Sequence, residues 1–118
     1  MIQFGHVELF VRDPVASQRF YVDVLGFELV AVQGPFVWVK AGAMELLLRP
    51  ANGDPPASSP AYRQAHAALV LYTDDLEATR TALVERGLVF RGDDGGPDCP
   101  TFTDPDGHWF QLADPSHG

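Results

Sequence analysis

Apolar and polar residues alternate at the start of the chain. Apolar side chains occupy every second position of one stretch: Val7, Leu9 and Val11. The positions beside them form a second set: His6, Glu8 and Phe10. Successive side chains of a β-strand point to opposite faces. This period of two therefore predicts a strand over residues 2–12, with the apolar set packed and the second set on the other face.

A helix and three further strands are predicted next. Asp13 and Pro14 are typical of a helix start, because aspartate accepts backbone N–H groups and proline suits the first turn. Gly26 is suited to end the helix in a left-handed conformation. Short apolar runs predict three strands, over residues 27–32, 36–40 and 44–48. The first half therefore has the order β-α-β-β-β.

The second half repeats this order after a linker. Prolines and small polar residues over 51–64 interrupt any sheet or helix. A helix is predicted to begin at Asp74 and Asp75 and to end at Gly87. Strands are predicted over four ranges: residues 65–72, 88–91, 101–103 and 108–113.

A shift of about 60 residues superimposes the two halves. His6 then falls on His66, and Glu45 corresponds to Gln111 near the other end of each half. Such self-similarity indicates a repeated structural unit. We therefore expect one α+β domain over residues 1–118. Its predicted parts are module one at residues 1–50, a linker at 51–64 and module two at 65–118.

Strand parity predicts which side chains share a face. The apolar alternation of residues 44–48 turns Glu45 away from the packed side, and that of residues 108–113 does the same for Gln111. Four side chains are then expected in one concavity: His6, Glu45, His66 and Gln111. Two imidazoles and two side-chain oxygens suit zinc, iron, nickel or manganese. Plainer interpretations stay open, namely a hydrogen-bonded structural histidine and a glutamate that faces water.

Charge restricts the class of partner. The formal net charge is −8 with no basic stripe, which argues against nucleic-acid binding. The single cysteine, Cys99, fits a reducing compartment. No stretch approaches the roughly 20 apolar residues of a membrane helix. We therefore expect a cytoplasmic protein without a membrane or nucleic-acid partner.

Aromatic side chains on the strands are candidates for contact with a small-molecule ligand. The candidates are Phe10, Trp38, Tyr72 and Trp109. Aromatic rings commonly line ligand pockets, and they also commonly fill cores, so both interpretations stay open.

Several stretches resemble the vicinal oxygen chelate superfamily, which includes glyoxalase I, extradiol dioxygenases, fosfomycin-resistance enzymes and bleomycin-binding proteins. The matching stretches are residues 6–13, 20–21, 25–27, 44–46, 66, 74–78 and 102–108. The resemblance implies two paired β-α-β-β-β modules that form a curved mixed sheet around a ligand cavity, often in a homodimer. Similarity to glyoxalase I places its metal-ligand positions at His6, Glu45, His66 and Gln111.

Gln111 departs from the glyoxalase I pattern. That position is usually a glutamate, which serves there as ligand and as base. A glutamine carbonyl can bind a metal, but the amide cannot accept a proton near neutral pH. Glu45 is therefore the candidate catalytic base, with Glu8 as another.

Two classes of function follow from these residues. The first is a metal-dependent lyase, isomerase or dioxygenase, in which one divalent metal polarises an oxygen-chelating substrate. The intact His6, Glu45 and His66 favour it. The alternative is a non-catalytic protein that sequesters a drug or metabolite, as in antibiotic resistance. Gln111 and the negative charge suit this alternative, particularly for a cationic drug.

Overall fold

The structure, a computed structural model, describes the backbone of residues 1–117 and the side chains of residues 1–116. The chain divides into two compact units, one over Met1–Pro56 and one that begins at Ala57. No helix within residues 1–117 is long and apolar enough to cross a membrane.

The first unit has the predicted order β-α-β-β-β. Its elements are β1 (Val7–Val11), α1 (Pro14–Arg19), β2 (Glu28–Gln33), β3 (Phe36–Ala41) and β4 (Met44–Pro50). A π-helical turn, Phe20–Val24, extends α1. The sheet order is β1-β4-β3-β2, with β1 parallel to β4 and the other pairs antiparallel.

The ends of α1 form as predicted. The Asp13 carboxylate accepts hydrogen bonds from the backbone N–H of Val15 at 3.0 Å and of Ala16 at 3.5 Å. These bonds satisfy N–H groups that have no partner within the helix. After the π-helical turn, Gly26 adopts a φ of 79°, which most other residues avoid.

The core of the first unit follows the predicted parity. The buried apolar side chains on the strands include Leu9, Val11, Val37, Leu46 and Leu48. Complete burial of such a side chain contributes about 1.5–3 kcal/mol. Glu45, between two apolar neighbours, is only partly buried. The packed face is therefore the predicted one at Leu46 and Leu48, but the prediction is wrong for Met44, which is exposed, and Leu47 is buried as well.

Within residues 57–117, the second unit has three strands rather than the predicted four. Its elements are β5 (Ala68–Tyr72), α2 (Leu76–Glu85), β6 (Thr101–Thr103) and β7 (Trp109–Ala113), with a short 3₁₀ helix at Tyr62–Gln64 and another at Pro115–His117. The sheet order is β5-β7-β6, with β5 parallel to β7 and β6 antiparallel to it. The rings of Phe102 and Phe110 stack in its core with centroids 5.2 Å apart.

The predicted strand over residues 88–91 is wrong. The N–H of Arg91 does donate to the carbonyl of Thr101 at 2.7 Å. The Arg91 carbonyl, however, accepts from the Thr101 hydroxyl, and the Thr101 N–H donates to Gly92 instead. In a regular ladder the Arg91 carbonyl would accept from a backbone N–H, but here it accepts from a side-chain hydroxyl. The pairing therefore does not continue as a strand, and an isolated bridge forms between Asp93 and Pro100.

Candidate functional site

His6 lies just before β1, on the outer face of the first sheet. Its Nε2 is 2.9 Å from Oε2 of Glu8, and its ring contacts Trp38 edge-to-face at a centroid distance of 4.7 Å. The other Glu8 oxygen accepts from Nη1 of Arg49 at 2.9 Å. Hydrogen bonds from His6 and then from Arg49 hold the pKa of Glu8 below its ordinary value. Glu8 is therefore an anion at neutral pH, held between two donors.

The Arg49 guanidinium is held by aromatic rings as well. It lies 5.5 Å from the ring centroid of Phe10 and 5.3 Å from that of Phe36. A cation over a ring face is attracted by the ring quadrupole. Two of the predicted ligand-contact residues, Phe10 and Trp38, therefore lie beside the group formed by His6, Glu8 and Arg49.

Glu45 is the second predicted metal ligand of this unit. The parallel ladder begins with Val7 of β1 paired with Leu46 of β4. Extending this register by one residue toward the N-terminus places His6 beside Glu45. Glu45 itself pairs with Lys40 of β3, whose side chain forms an ion pair with Glu28. The first unit therefore places His6, just before β1, near Glu45 of β4.

Gln111 lies on β7, between Val70 of β5 and Thr101 of β6. Its Nε2 donates to the hydroxyl of Tyr62 at 3.0 Å and to Oδ2 of Asp94 at 3.1 Å. The other Asp94 oxygen accepts from Nε of Arg63 at 2.5 Å. This hydrogen bond raises the pKa of Arg63. Both N–H groups of the Gln111 amide thus donate hydrogen bonds to neighbouring side chains.

His66 is not placed opposite Gln111. It is exposed and lies two residues before β5, whereas the β5 residue opposite Gln111 is Val70. In the first unit the strand register places His6 beside Glu45. In the second unit the register does not place His66 beside Gln111.

The side chains that the structure describes do not fit a bound metal as they stand. Within that part of the chain, no three His, Cys, Asp or Glu residues form a group that could hold one. Nε2 of His6 is already bonded to Glu8, so in this arrangement Nδ1 is the nitrogen of the ring that could bind a metal. The four-residue ligand set stays a prediction.

Sequence reasoning missed the residues that hold Gln111. Tyr62 precedes it by 49 positions and Asp94 by 17, and neither is in a strand. Both occupy stretches that the sequence marks only as a linker and as a polar glycine-rich loop. No local pattern predicts that these two stretches meet over β7.

A cavity of about 600 Å³ opens beside Gln111 in the second unit. Its lining includes Val70, Tyr72, Asp98, Ala113 and Asp114. A volume of this size lies within the range of roughly 300–1,000 Å³ that is usual for small-molecule sites. Tyr72, a predicted ligand-contact residue, is in the wall of this open cavity and is itself largely exposed.

Trp109, the remaining predicted ligand-contact residue, is buried instead. Its indole N–H donates to the carbonyl of Ser59 at 2.9 Å, and the Arg91 guanidinium lies 4.7 Å from its ring. The Tyr62 ring meets it edge-to-face at 6.1 Å. Trp109 thus anchors the segment before β5 to the sheet.

The turn before β7 is organised by Asp104, which is buried. One of its oxygens accepts from the N–H groups of Asp106 at 3.0 Å and His108 at 2.8 Å. The other is 2.7 Å from Nδ1 of His108. Burial lowers the pKa of His108, but the hydrogen bond and charge of Asp104 outweigh it, so the net shift is upward.

The sequence profile of the Glyoxalase/Bleomycin resistance protein/Dioxygenase superfamily matches residues 3–112. The chain belongs to this superfamily. The predicted resemblance is thereby confirmed over nearly the whole chain. Members of the superfamily commonly bind a divalent metal.

Solved structures of the superfamily fold agree with this membership. The chain is similar to TnmS3, an antibiotic binding protein from Streptomyces sp. CB03234, with 29% identity, 98% of this chain and 99% of that chain covered, and a TM-score of 0.73. A glyoxalase/bleomycin resistance protein from the same organism is 28% identical, with 91% and 96% covered and a TM-score of 0.65. Lactoylglutathione lyase from Agrobacterium tumefaciens shares the fold at 20% identity, with 98% and 95% covered and a TM-score of 0.72. No curated protein matches the sequence.

Proposed function

We propose that this member of the superfamily binds and sequesters a small organic molecule, such as an antibiotic or a metabolite, without a metal and without converting it. One observation carries the proposal. The side chains at two predicted metal-ligand positions, His6 and Gln111, are each hydrogen-bonded to a carboxylate that is itself paired with an arginine.

These contacts change what the two positions can do. Nε2 of His6 donates to the Glu8 carboxylate, so a metal at this position would have to bind Nδ1, and at Gln111 it would have to bind the carbonyl oxygen. The Glu8 carboxylate is stabilised as an anion by Arg49, so it competes for the imidazole at neutral pH. A glutamine in place of glutamate at position 111 removes the proton acceptor that an isomerase would use.

Similarity and cavity size support binding as the role. The antibiotic-binding TnmS3 is similar over essentially the full length of both chains. The cavity beside Gln111 has the volume and the mixed apolar and polar lining of a small-molecule site.

The test combines a metal titration with ligand binding. Protein treated with EDTA and then titrated calorimetrically with zinc, nickel, manganese and ferrous iron should take up no stoichiometric metal. Thermal denaturation with bleomycin and a set of aromatic antibiotics should identify a stabilising ligand, with the same shift whether EDTA is present or absent. A ligand at a hundredfold excess over its Kd stabilises by about 2.7 kcal/mol. One metal per chain, whose removal abolishes ligand binding, would overturn the proposal.

A metal-dependent lyase, isomerase or dioxygenase is the second candidate. The register that brings His6 next to Glu45 favours it. It predicts one divalent metal per chain, held by His6, Glu45, His66 and Gln111, with Glu45 as the base. His66→Ala should then abolish metal uptake in the same titration, and His108→Ala serves as the control.

Pairing with a second copy is proposed for either function. β2 forms an edge of the first sheet, and its apolar side chains Leu29, Val30 and Val32 are exposed. Open strand edges favour association with another chain. Light scattering should give the mass of a homodimer at micromolar concentration, and the mass of one chain would contradict this.

A further inference from the structure

The orientation of the Gln111 amide is set by its neighbours. An ionised carboxylate can only accept hydrogen bonds, so the amide must turn its nitrogen toward Asp94. Arg63 holds the charge of Asp94, and the Tyr62 hydroxyl accepts from the same nitrogen. The carbonyl oxygen of Gln111 is therefore fixed on the other side of the amide. No residue in the described part of the chain donates a hydrogen bond to it.

The cavity that Gln111 lines has three carboxylates in its wall, Asp94, Asp98 and Asp114, and two donor side chains, Tyr72 and Cys99. Asp98 and Asp114 are in its wall together with Gln111, and its lining within residues 1–117 includes no lysine, arginine or histidine. Val70 and the largely exposed Tyr72 supply apolar and aromatic surface. Arg63 lies beside Gly95 of this wall and is paired with Asp94, so an anionic ligand would meet Asp98 and Asp114 while that guanidinium is already engaged.

We infer that the ligand of this cavity is an arylalkyl amine, whose ammonium N–H donates to Oε1 of Gln111 while its ring lies against Tyr72 and Val70. The inference rests on the proposed binding function and deepens it by naming the ligand class. Gln111 is then the residue that determines specificity, and Asp94 and Tyr62 are the residues that position its amide.

Three probes of similar size test the ligand class: 2-naphthylmethylammonium, 2-naphthylmethanol and 2-naphthoate. Calorimetric titration of the full chain should give affinity in that order. A hydrogen bond to a charged group is worth roughly 1.5–3 kcal/mol, so we expect the ammonium to bind about tenfold or more tightly than the carboxylate. Gln111→Met keeps the length of the side chain and removes the acceptor, and should weaken ammonium binding by about tenfold. Gln33→Met, at an exposed position of β2, should leave it unchanged.

Asp94→Asn tests the positioning role. Asparagine can donate as well as accept, so the Gln111 amide is free to turn its nitrogen into the cavity. We expect ammonium affinity to fall and naphthoate affinity to rise. Asp94 also lines the cavity, so the same change is made in Gln111→Met: a positioning role predicts that Asp94→Asn then has no further effect on either probe, whereas a direct effect of its charge would persist.

The outcomes distinguish a failure of this inference from a failure of the proposed binding function. Binding of naphthylmethanol with no gain for the ammonium, or full ammonium affinity in Gln111→Met, would overturn the inference and leave the binding function standing. If no probe binds at millimolar concentration, both the inference and the assignment of the binding function to this cavity fail.

Discussion

Replacing Gln111 by glutamate should destabilise the protein at neutral pH. The glyoxalase I pattern has a glutamate at this position, and the two side chains have nearly the same shape. In this chain, however, the new carboxylate would take the place of a nitrogen that lies 3.1 Å from Asp94. Two N–H donors would be lost, and a like charge would be placed beside Asp94.

The magnitude follows from charge separation and from proton uptake. Two unit charges about 4 Å apart interact by about 4 kcal/mol at an effective dielectric constant of about 20. Protonation limits this repulsion, because giving a proton to a glutamate with a pKa of about 4.3 requires about 3.7 kcal/mol at pH 7 and about 1 kcal/mol at pH 5. Arg63 lies beside Asp94 and offsets part of the repulsion. We therefore expect a loss of about 2–3 kcal/mol near pH 7.5 and of about 1 kcal/mol or less near pH 5.

Urea denaturation followed by tryptophan fluorescence at the two pH values measures this difference. Gln111→Met is the control, because it removes the same hydrogen bonds without adding charge, and its loss should not depend on pH in this range. Combining Gln111→Glu with Asp94→Asn should recover about 1–2 kcal/mol near pH 7.5, since the repulsion is gone. If Gln111→Glu were as stable as the wild type near pH 7.5, Asp94 would not be the neighbour that orients the amide.

Further predictions concern the turn before β7. A Cβ added at Gly107 would lie 2.2 Å from the Cβ of Ser58 at a φ of +89°, so Gly107→Ala should lower the free energy of unfolding by about 2–3 kcal/mol. Gly42 also has a positive φ, but a Cβ there would meet open space. Gly42→Ala should therefore lower the free energy of unfolding by only about 1 kcal/mol in the same urea experiment. Because the folded-state pKa of His108 is raised, its bond to Asp104 contributes stability below about pH 6.5 that is lost as the pH rises through the folded-state pKa. His108→Gln should therefore differ from the wild type more near pH 5.5 than near pH 8.5, and an equal difference at both values would contradict this reading.

The first sheet could be predicted well because its signals are local. Alternation over β1 is a period-two pattern that requires no knowledge of the partner strand. Asp13 and Gly26 likewise act on backbone groups within a few residues of themselves. The face that carries His6, Glu8 and Glu45 was therefore predictable from parity alone.

The surroundings of the site could not be predicted, because they depend on contacts distant in the sequence. Arg49 reaches Glu8 across 41 positions, and Tyr62 reaches Gln111 across 49. The failed strand at residues 88–91 has a similar cause. The Thr101 hydroxyl captures the Arg91 carbonyl, and no periodicity in either segment signals this contact.

The two carboxylate–arginine pairs do not occupy equivalent positions in the two units. Glu8 lies on β1, two residues after His6, whereas Asp94 lies in the loop before β6. The arginines differ in the same way, because Arg49 is on β4 and Arg63 is in the 3₁₀ helix before β5. Duplication alone therefore does not explain why both predicted ligand positions have the same kind of partner. In both places the contact holds a predicted ligand side chain through a nitrogen, and it is the role of these contacts that the metal titration and the Asp94 variants test.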